Sequence, residues 1–321
     1  APAAIGADAE NAAGVYAVVA PGTYTATLTV TTDKTTYEIA LGQKTFTIAE
    51  TVEVDVELPS SSNGFGATLE DFEITEMTTK FSEGSTIELY GADKEKVTLS
   101  YSEEGFKAEN QVKGPYYAIY PEGAGSVNFN NGSFKGVIAA EQTLSEGKNI
   151  AEGAFAYFAM SNNPVLSFKN ATSLVKVAVA NENVTAITLK AGEGQALAGE
   201  YTLAITDEGA SVAAVEGKGS QTVTLKPAGE TFPKGEYYIA VLPGATEGLS
   251  VEFTIGEDKV TKTKTIETIA RNSAKDLGLF LGYNISNAEE LLAWNNDYKE
   301  WTKWDVVTLT DNINCSGVIN S

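Results

Sequence analysis

The chain is expected to fold as an all-β protein of tandem antiparallel β-sandwiches with one short C-terminal helix, and three features of its sequence lead there. Apolar and polar residues alternate with period two over many short stretches; Gly, Asn, Asp and Pro separate those stretches; and helical periodicity is confined to one segment near the C-terminus. At 321 residues the chain is long enough for two or three cores. With 43% hydrophobic and 20% charged residues it belongs with globular rather than disordered chains. The Thr, Ser, Asn and Gly of its polar remainder suit strands and tight turns, because β-branched Thr packs on a pleated face while Gly and Asn accept left-handed geometry.

From Thr23 to Leu58 the alternation is clean. Tyr24, Ala26, Leu28 and Val30 fall on one face and Thr23, Thr25, Thr27, Thr29 and Thr31 on the other. Asp33-Lys34 makes a turn, Tyr37, Ile39 and Leu41 resume the pattern, Gly42-Gln43 turns again into Phe46 and Ile48, and Val52, Val54, Val56 and Leu58 follow. This reads as an antiparallel meander. Pro59-Ser60-Ser61-Ser62-Asn63-Gly64 has the composition of a linker. Beyond it, turn-punctuated strands recur to about Leu279, among them Ile87–Tyr90, Lys96–Tyr101, Tyr116–Tyr120, Ala154–Ala159, Leu174–Val179, Ala186–Leu189, Tyr201–Ile205, Gln221–Leu225, Tyr237–Leu242, Ser250–Ile255 and Lys262–Thr268. Without helical segments between them, they imply sandwiches rather than a parallel sheet with crossover helices.

An internal echo runs through this stretch. Gly114-Pro115-Tyr116-Tyr117-Ala118-Ile119-Tyr120-Pro121-Glu122-Gly123 parallels Gly235-Glu236-Tyr237-Tyr238-Ile239-Ala240-Val241-Leu242-Pro243-Gly244, each a Gly turn, an aromatic-led apolar strand and a Pro/Gly exit. Two copies suggest two related sandwiches divided near Asn162-Asn163-Pro164. After Leu281, Ser286-Asn287-Ala288-Glu289 reads as a capping box for a helix running to about Trp301, with Leu291, Trp294, Tyr298 and Trp301 on one stripe; Val306-Val307-Thr308-Leu309 reads as a strand. The expected segments are a small β domain at 1–58, a first sandwich at 64–163, a second at 164–281, and a helix plus strand at 282–321.

Net charge is −21, with 43 acids against 22 bases. Nucleic acid is excluded as a partner because phosphate binding rests on Lys and Arg, and an anionic membrane surface is disfavoured for the same reason. No run approaches the roughly 20 apolar residues of a spanning helix, so no membrane insertion of this chain is expected. The single cysteine, Cys315, excludes an intramolecular disulfide framework and a thiolate metal site. The absence of histidine removes the commonest general base, triad partner and zinc ligand. No phosphate-binding or calcium loop is present, and Gly192-Glu193-Gly194 reads as a loop. Carboxylate pairs among Glu70, Asp71 and Glu73, or Glu103 and Glu104, are read as solvated surface rather than acid/base machinery. The chain is therefore expected to be no enzyme and to hold no cofactor. Trp294, Trp301 and Trp304 offer a glycan-stacking platform, although their helical spacing favours a packed capping helix.

Residues 65–279 resemble the fimbrillin family, subunits and tip proteins of fimbriae on certain Gram-negative anaerobes. The resemblance lies in Gly114 to Pro121, in Phe168-Lys169-Asn170-Ala171-Thr172-Ser173-Leu174-Val175-Lys176-Val177, in Ala186 to Leu189 through Leu197-Ala198-Gly199, and in Gly235 to Gly244, in the family's order. It implies two successive transthyretin-like β-sandwiches, a place on the cell surface or attached to the outer membrane, and partners among other fimbrial or surface proteins, met through edge strands. Family subunits polymerise by strand exchange after a protease removes an N-terminal strand at a basic residue. Here the one arginine is Arg271, and no basic residue lies between Lys44 and Lys80. A tip, accessory or cell-anchored role is expected instead of a shaft role. Residues 283–321 resemble the opening of a right-handed β-helix of the pectin-lyase-like type. That resemblance implies an alternative: the accessory region of a surface protein that binds or cleaves polysaccharides, with glycans as partners.

Overall fold

The computed structural model describes residues 22–31, 36–46, 61–72, 80–206, 209–245, 248–264, 266 and 268–315. Residues 1–59 and 60–321 form separate compact units. In the first, β1 (Gly22–Thr31) and β2 (Thr36–Phe46) pair antiparallel, Gly22 with Phe46 and Thr31 with Thr36. The ladder slips once, where Ala26 faces Gly42 and Thr27 faces Ala40. Gly42-Gln43 is therefore not the expected turn; the strand runs on through a bulge that leaves Leu41 unopposed. The strand expected at Val52–Leu58 lies outside the described residues.

The second unit starts with a closed seven-stranded barrel. Its strands are β3 (Ser61–Leu69), β4 (Thr86–Tyr90), β5 (Lys96–Ser102), β6 (Gly105–Lys113), β7 (Tyr116–Tyr120), β11 (Tyr157–Ser161) and β12 (Val165–Asn170), in the order β11-β12-β3-β6-β5-β4-β7. Strand β3 includes Ser61 to Gly64, expected as linker; the Ser62 hydroxyl, bonded to the Gly64 carbonyl at 2.6 Å, accompanies a bulge that keeps this polar start in register with β6. Phe65, Ile87, Leu89, Leu99, Phe106, Tyr116, Tyr157, Leu166 and Phe168 fill the interior. Burying each such side chain contributes about 1.5–3 kcal/mol. Phe81 closes one end of this core, stacked on Tyr101 at 5.5 Å and edge-on to Tyr120 at 4.9 Å.

The chain leaves this barrel after β7 and returns only at β11. In between, β8 (Gly125–Asn128), β9 (Ser133–Ile138) and β10 (Glu141–Thr143) are built into sheets made mostly by later residues. Strands β8 and β9 join β15 (Ala198–Thr206) and β16 (Gly209–Ser220) in the order β16-β15-β9-β8. Strand β10 lies parallel to β17 (Thr222–Lys226) at the edge of a five-stranded sheet completed by β14 (Ala186–Ala191), β20 (Leu249–Ile255) and β21 (Asp258–Lys264). A three-stranded sheet sets β13 (Ser173–Val179) between antiparallel β18 (Gly235–Val241) and parallel β23 (Ala274–Phe280), and β19 (Gly244–Ala245) pairs with β22 (Thr268–Ile269). Phe134, Ile138 and Leu144 thereby share one core with Val175, Ile187, Tyr201 and Phe253. The fold is all-β as expected, but among the described residues four strand pairings are parallel: β3 with β12, β10 with β17, β13 with β23, and β24 (Gly282–Ile285) with β25 (Val306–Leu309). The division expected near residues 162–164 falls between two strands of the barrel, because Val165–Asn170 pairs with Gly66–Leu69.

The internal echo has a physical basis. Tyr116 donates its hydroxyl to the Val112 carbonyl at 3.1 Å, and Tyr237 donates to the Pro233 carbonyl; each reaches four residues back, with a phenylalanine (Phe65 or Phe232) edge-on to its ring. Each tyrosine thus fixes the corner by which the chain enters an apolar strand. Strand β18 would offer an open edge, but Gln142 seals it: its amide donates to the Ala240 carbonyl at 2.7 Å and accepts from the Ala240 N–H at 3.0 Å. Tyr238 N–H and Leu242 N–H reach the Asn149 and Leu197 carbonyls beside it. A buried side-chain amide acts here as one residue of a missing strand.

The last segment forms β24 (Gly282–Ile285), α1 (Ala288–Asn296), a 3-10 turn at Tyr298–Glu300 and β25 (Val306–Leu309), with β24 and β25 parallel. The helix cap sits one residue later than the sequence suggests. Asn287 Oδ1 accepts the Glu290 N–H at 2.9 Å, while Glu290, not Glu289, reaches back to the Ser286 N–H at 2.7 Å. The helix ends at Asn296 instead of Trp301, where the Asp297 N–H closes on the Ala293 and Trp294 carbonyls.

Candidate functional site

The three tryptophans stand in the C-terminal segment, half-buried. Trp294 and Trp301 stack on each other with centroids 4.0 Å apart and planes at 14°, so each gives one face to its neighbour. Trp304 packs on the larger core; its indole N–H donates to Asp258 at 3.1 Å and its carbonyl accepts from Asn181 at 2.6 Å. Lys303, paired with the same Asp258, lies 4.9 Å over the Trp304 ring. Trp304 packs the segment against β21 and the larger core, while Trp294 and Trp301 pack on each other; with the helix ending at Asn296, Trp301 and Trp304 lie beyond it and not on one helical stripe. The three rings do not converge on one open platform.

The carboxylates resolve in a similar way. Glu103 is exposed in the β5–β6 turn, Glu104 pairs with Lys107, and Glu73 lies outside the described residues. Glu70, just past the end of β3, receives both arms of the sole arginine: Arg271 Nη1 lies 2.5 Å from Oε2 and Nη2 lies 2.8 Å from Oε1. Arg271 Nη1 also donates to the Asn170 carbonyl at 2.6 Å, and Glu70 accepts the Asn170 N–H at 3.0 Å. Burial works to raise the Glu70 carboxyl, but the Arg271 hydrogen bonds and charge, the Asn170 N–H and Lys169 outweigh it and hold the group below the usual carboxylate range. So held, the carboxylate stays ionised, with its oxygens engaged by Arg271 and the Asn170 N–H.

Around this pair a polar network joins four strand ends. Asn170, closing β12, donates to the Asn272 side chain at 3.0 Å; Asn272, ahead of β23, donates to the Asp71 carbonyl at 2.5 Å and, through its N–H, to the Thr172 carbonyl at 3.0 Å. Thr172, ahead of β13, donates to the Ala154 carbonyl at 2.8 Å. Asn170, Thr172 and Asn272 are buried, and each makes the bonds its burial demands. Sequence reasoning missed this network. Its one visible signal was the isolation of a single arginine in a chain of lysines.

A second feature that sequence reading missed is a cleft of about 450 Å³ where the β8–β9 hairpin meets the β4–β5 turn. Ser126 and Lys135 are a cross-strand pair on the exposed face of the hairpin, Asn128 follows two residues on, and Phe129 and Asn130 form the tip. Lys94 comes from the other side with φ +65°, a left-handed conformation uncommon outside glycine, and sets its ammonium 5.5 Å from the centre of the Phe129 ring. Tyr90 and Tyr117 hold that ring edge-on at 5.6 and 5.5 Å. Neither Lys94 nor Lys135 forms an ion pair among the described residues, whereas ten of the eighteen other described basic side chains do. Two free ammoniums, an aromatic ring, two amides and a hydroxyl give this surface the means to hold a hydroxylated anion.

No protein-family model and no curated protein matches the chain. Among solved structures it is similar to a candidate cell-adhesion protein from Bacteroides ovatus, at 14% identity over 66% of this chain and 90% of that one, with a TM-score of 0.42. A candidate cell-adhesion protein from Bacteroides uniformis gives 13% identity over 67% and 93%, with a TM-score of 0.42. A fimbrial protein from Bacteroides ovatus gives 13% identity over 68% and 50%, with a TM-score of 0.34. At this level of identity and superposition no activity passes from them to this chain.

Proposed function

We propose that this chain is a fimbrial-type cell-surface adhesion protein that acts by binding and not by catalysis, in a tip or accessory position rather than as a repeating shaft subunit. The observation that carries the binding role is the Lys94–Phe129–Lys135 cleft, whose two positive charges have no ion-pair partner among the described residues, on a chain of net charge −21. The accessory role rests on Arg271. In the family this chain resembles, an N-terminal strand is removed at a basic residue; here no basic residue lies between Lys44 and Lys80, and the only arginine lies some 200 residues beyond β3, with both arms bound to Glu70. Among the described residues no helix is long and apolar enough to cross a membrane.

The binding role is tested on an array of neutral and acidic glycans. Acidic members should be retained, and Lys94→Ala with Lys135→Ala should weaken them about tenfold, two exposed charges at roughly 0.5–1 kcal/mol each. Retention unchanged in the double variant refutes the cleft. The accessory role is tested by solution sizing with a strand-donating peptide, before and after limited trypsin treatment. A monomer throughout is expected, and ordered polymers after cleavage overturn it.

One observation favours a second reading, a polysaccharide-binding accessory region. Each residue of β24 pairs in parallel with one 24 positions later, Gly282 with Val306 and Ile285 with Leu309, which is how one coil stacks on the next in a β-helix. Glycan retention abolished by Trp294→Ala but untouched by the lysine pair favours this reading.

A further inference from the structure

We infer that residues 61–285 form a tension-resisting splice, in which two parallel ladders loaded in shear and one ion pair loaded end to end carry a pull along the chain. The inference rests on the surface reading only for the source of that pull.

The geometry follows from four strands. Strand β3 runs parallel to β12, with Gly66 facing Val165 and Leu69 facing Phe168, and the ladder extends to the bond from Glu70 N–H to the Phe168 carbonyl. Only Ala171 and Thr172 separate β12 from β13, which runs parallel to β23 from Leu174 facing Ala274 to Val179 facing Phe280. The end of β3 meets the start of β23 through Glu70–Arg271 and Asp71–Asn272. Strands β3 and β23 thus lie end to end beside the nearly continuous β12–β13, as two bars are joined by an overlapping strap.

Force applied ahead of β3 and behind β23 reaches β3 at its N-terminal end and β23 at its C-terminal end. In each parallel ladder the two strands are then drawn at opposite ends, so the bonds slide together and must fail together. An antiparallel hairpin pulled open at its free end loses its bonds one at a time, each for the modest net worth of a single hydrogen bond. The Glu70–Arg271 pair spans the butt joint itself and takes the pull directly, with two parallel N–H···O bonds whose fork geometry resists separation. Asn170 ties the same arginine to the strap at 2.6 Å.

Single-molecule force spectroscopy on the full chain tests this, with handles at Ser61→Cys and Ser286→Cys in a Cys315→Ser background. The comparison axis, Glu200→Cys with Lys218→Cys, opens the β15–β16 hairpin from its free end. Forced unfolding reports the barrier to rupture, and the Ser61–Ser286 axis should break at about twice the force of the hairpin axis or more. Arg271→Met should lower force on the first axis and leave the second unchanged. Equal forces on the two axes overturn the splice, and so does an Arg271→Met loss of equal size on both, which would mark general destabilisation. Where Arg271→Met does not fold, Arg271→Lys, which keeps the charge and loses the fork, is read by the same criteria. Because no ligand or partner enters the measurement, its failure leaves the adhesion reading untouched, and failure of the glycan array leaves the splice untouched.

Discussion

Replacing Arg271 by methionine keeps a long apolar stem and removes three hydrogen bonds, two to Glu70 and one to the Asn170 carbonyl. The side chains of Glu70 and Arg271 are 19% and 21% exposed, so the pair is half-buried and stands between exposed bridges, worth about 1 kcal/mol or less, and buried pairs, where removing one partner costs about 3–5 kcal/mol. Glu70 keeps the Asn170 N–H at 3.0 Å and gains relief from Lys169 at 3.9 Å, which places the expected loss near the lower end of the buried range, about 3 kcal/mol. In a unit of this size that is a fall in Tm of about 6–12 °C. Denaturant unfolding of the wild type, Glu70→Gln, Arg271→Met and the double variant isolates the pair, with about 2 kcal/mol of coupling expected between residues in direct contact. The pH dependence carries a second signature. Because the folded carboxyl titrates below its unfolded value, its contribution is complete above about pH 4.3 and is lost as pH falls through the lowered value. That acid step should shrink in Arg271→Met. A loss below about 1 kcal/mol with an unchanged acid limb would show that the pair behaves as an exposed surface bridge and would refute the reasoning.

Three further outcomes are expected. The Tyr201 hydroxyl is fully buried without a partner among the described residues, so Tyr201→Phe should stabilise the chain by about 1 kcal/mol in denaturant unfolding; a loss would reveal a bond to that hydroxyl. Gly136 faces Tyr201 across β9 and β15, and a Cβ there would fall 2.3 Å from the hydroxyl oxygen; Gly136→Ala should destabilise by about 1–3 kcal/mol, and a neutral effect would mean that the ring can move aside. Gln142→Leu should cost about 2–3 kcal/mol by leaving the Ala240 N–H and carbonyl unpaired, and should speed amide exchange at Ala240 ahead of global unfolding; exchange unchanged at Ala240 would count against the seal.

The strands most readily read from sequence were those whose burial alternates or is continuous with apolar residues. Strand β13, with Leu174, Val175 and Val177 buried, is one, and β20, with Val251 and Phe253, is another. Strand β6 is hard to read from sequence because only Phe106, Ala108 and Val112 of its nine residues are buried, and pairing with β3 and β5 imposes its conformation. Strand β16 carries no fully buried residue and is extended because β15 templates it. The destination of β8–β10 was not legible, since Phe134 and Ile138 advertise burial but not against which core. The Glu70–Arg271 network was hidden for a similar reason: 201 positions separate its principal partners, and no local pattern records a pairing at that distance.

The interleaving of β8–β10 also bears on the order in which this chain can acquire its structure. A chain delivered from its N-terminus presents Phe134 and Ile138 well before Tyr201 and Val223 exist to cover them, and at about 5–20 residues per second that interval lasts several seconds. The barrel must likewise wait for Tyr157–Ser161 and Val165–Asn170, which arrive only after the strands destined for the other core. The barrel has all its strands once Asn170 is delivered, whereas the other core still waits for strands up to Ala274–Phe280. A chain stopped at residue 163 holds parts of each core and the whole of neither, while one stopped just past Asn170 holds the complete barrel with Phe134 and Ile138 of the other core still uncovered.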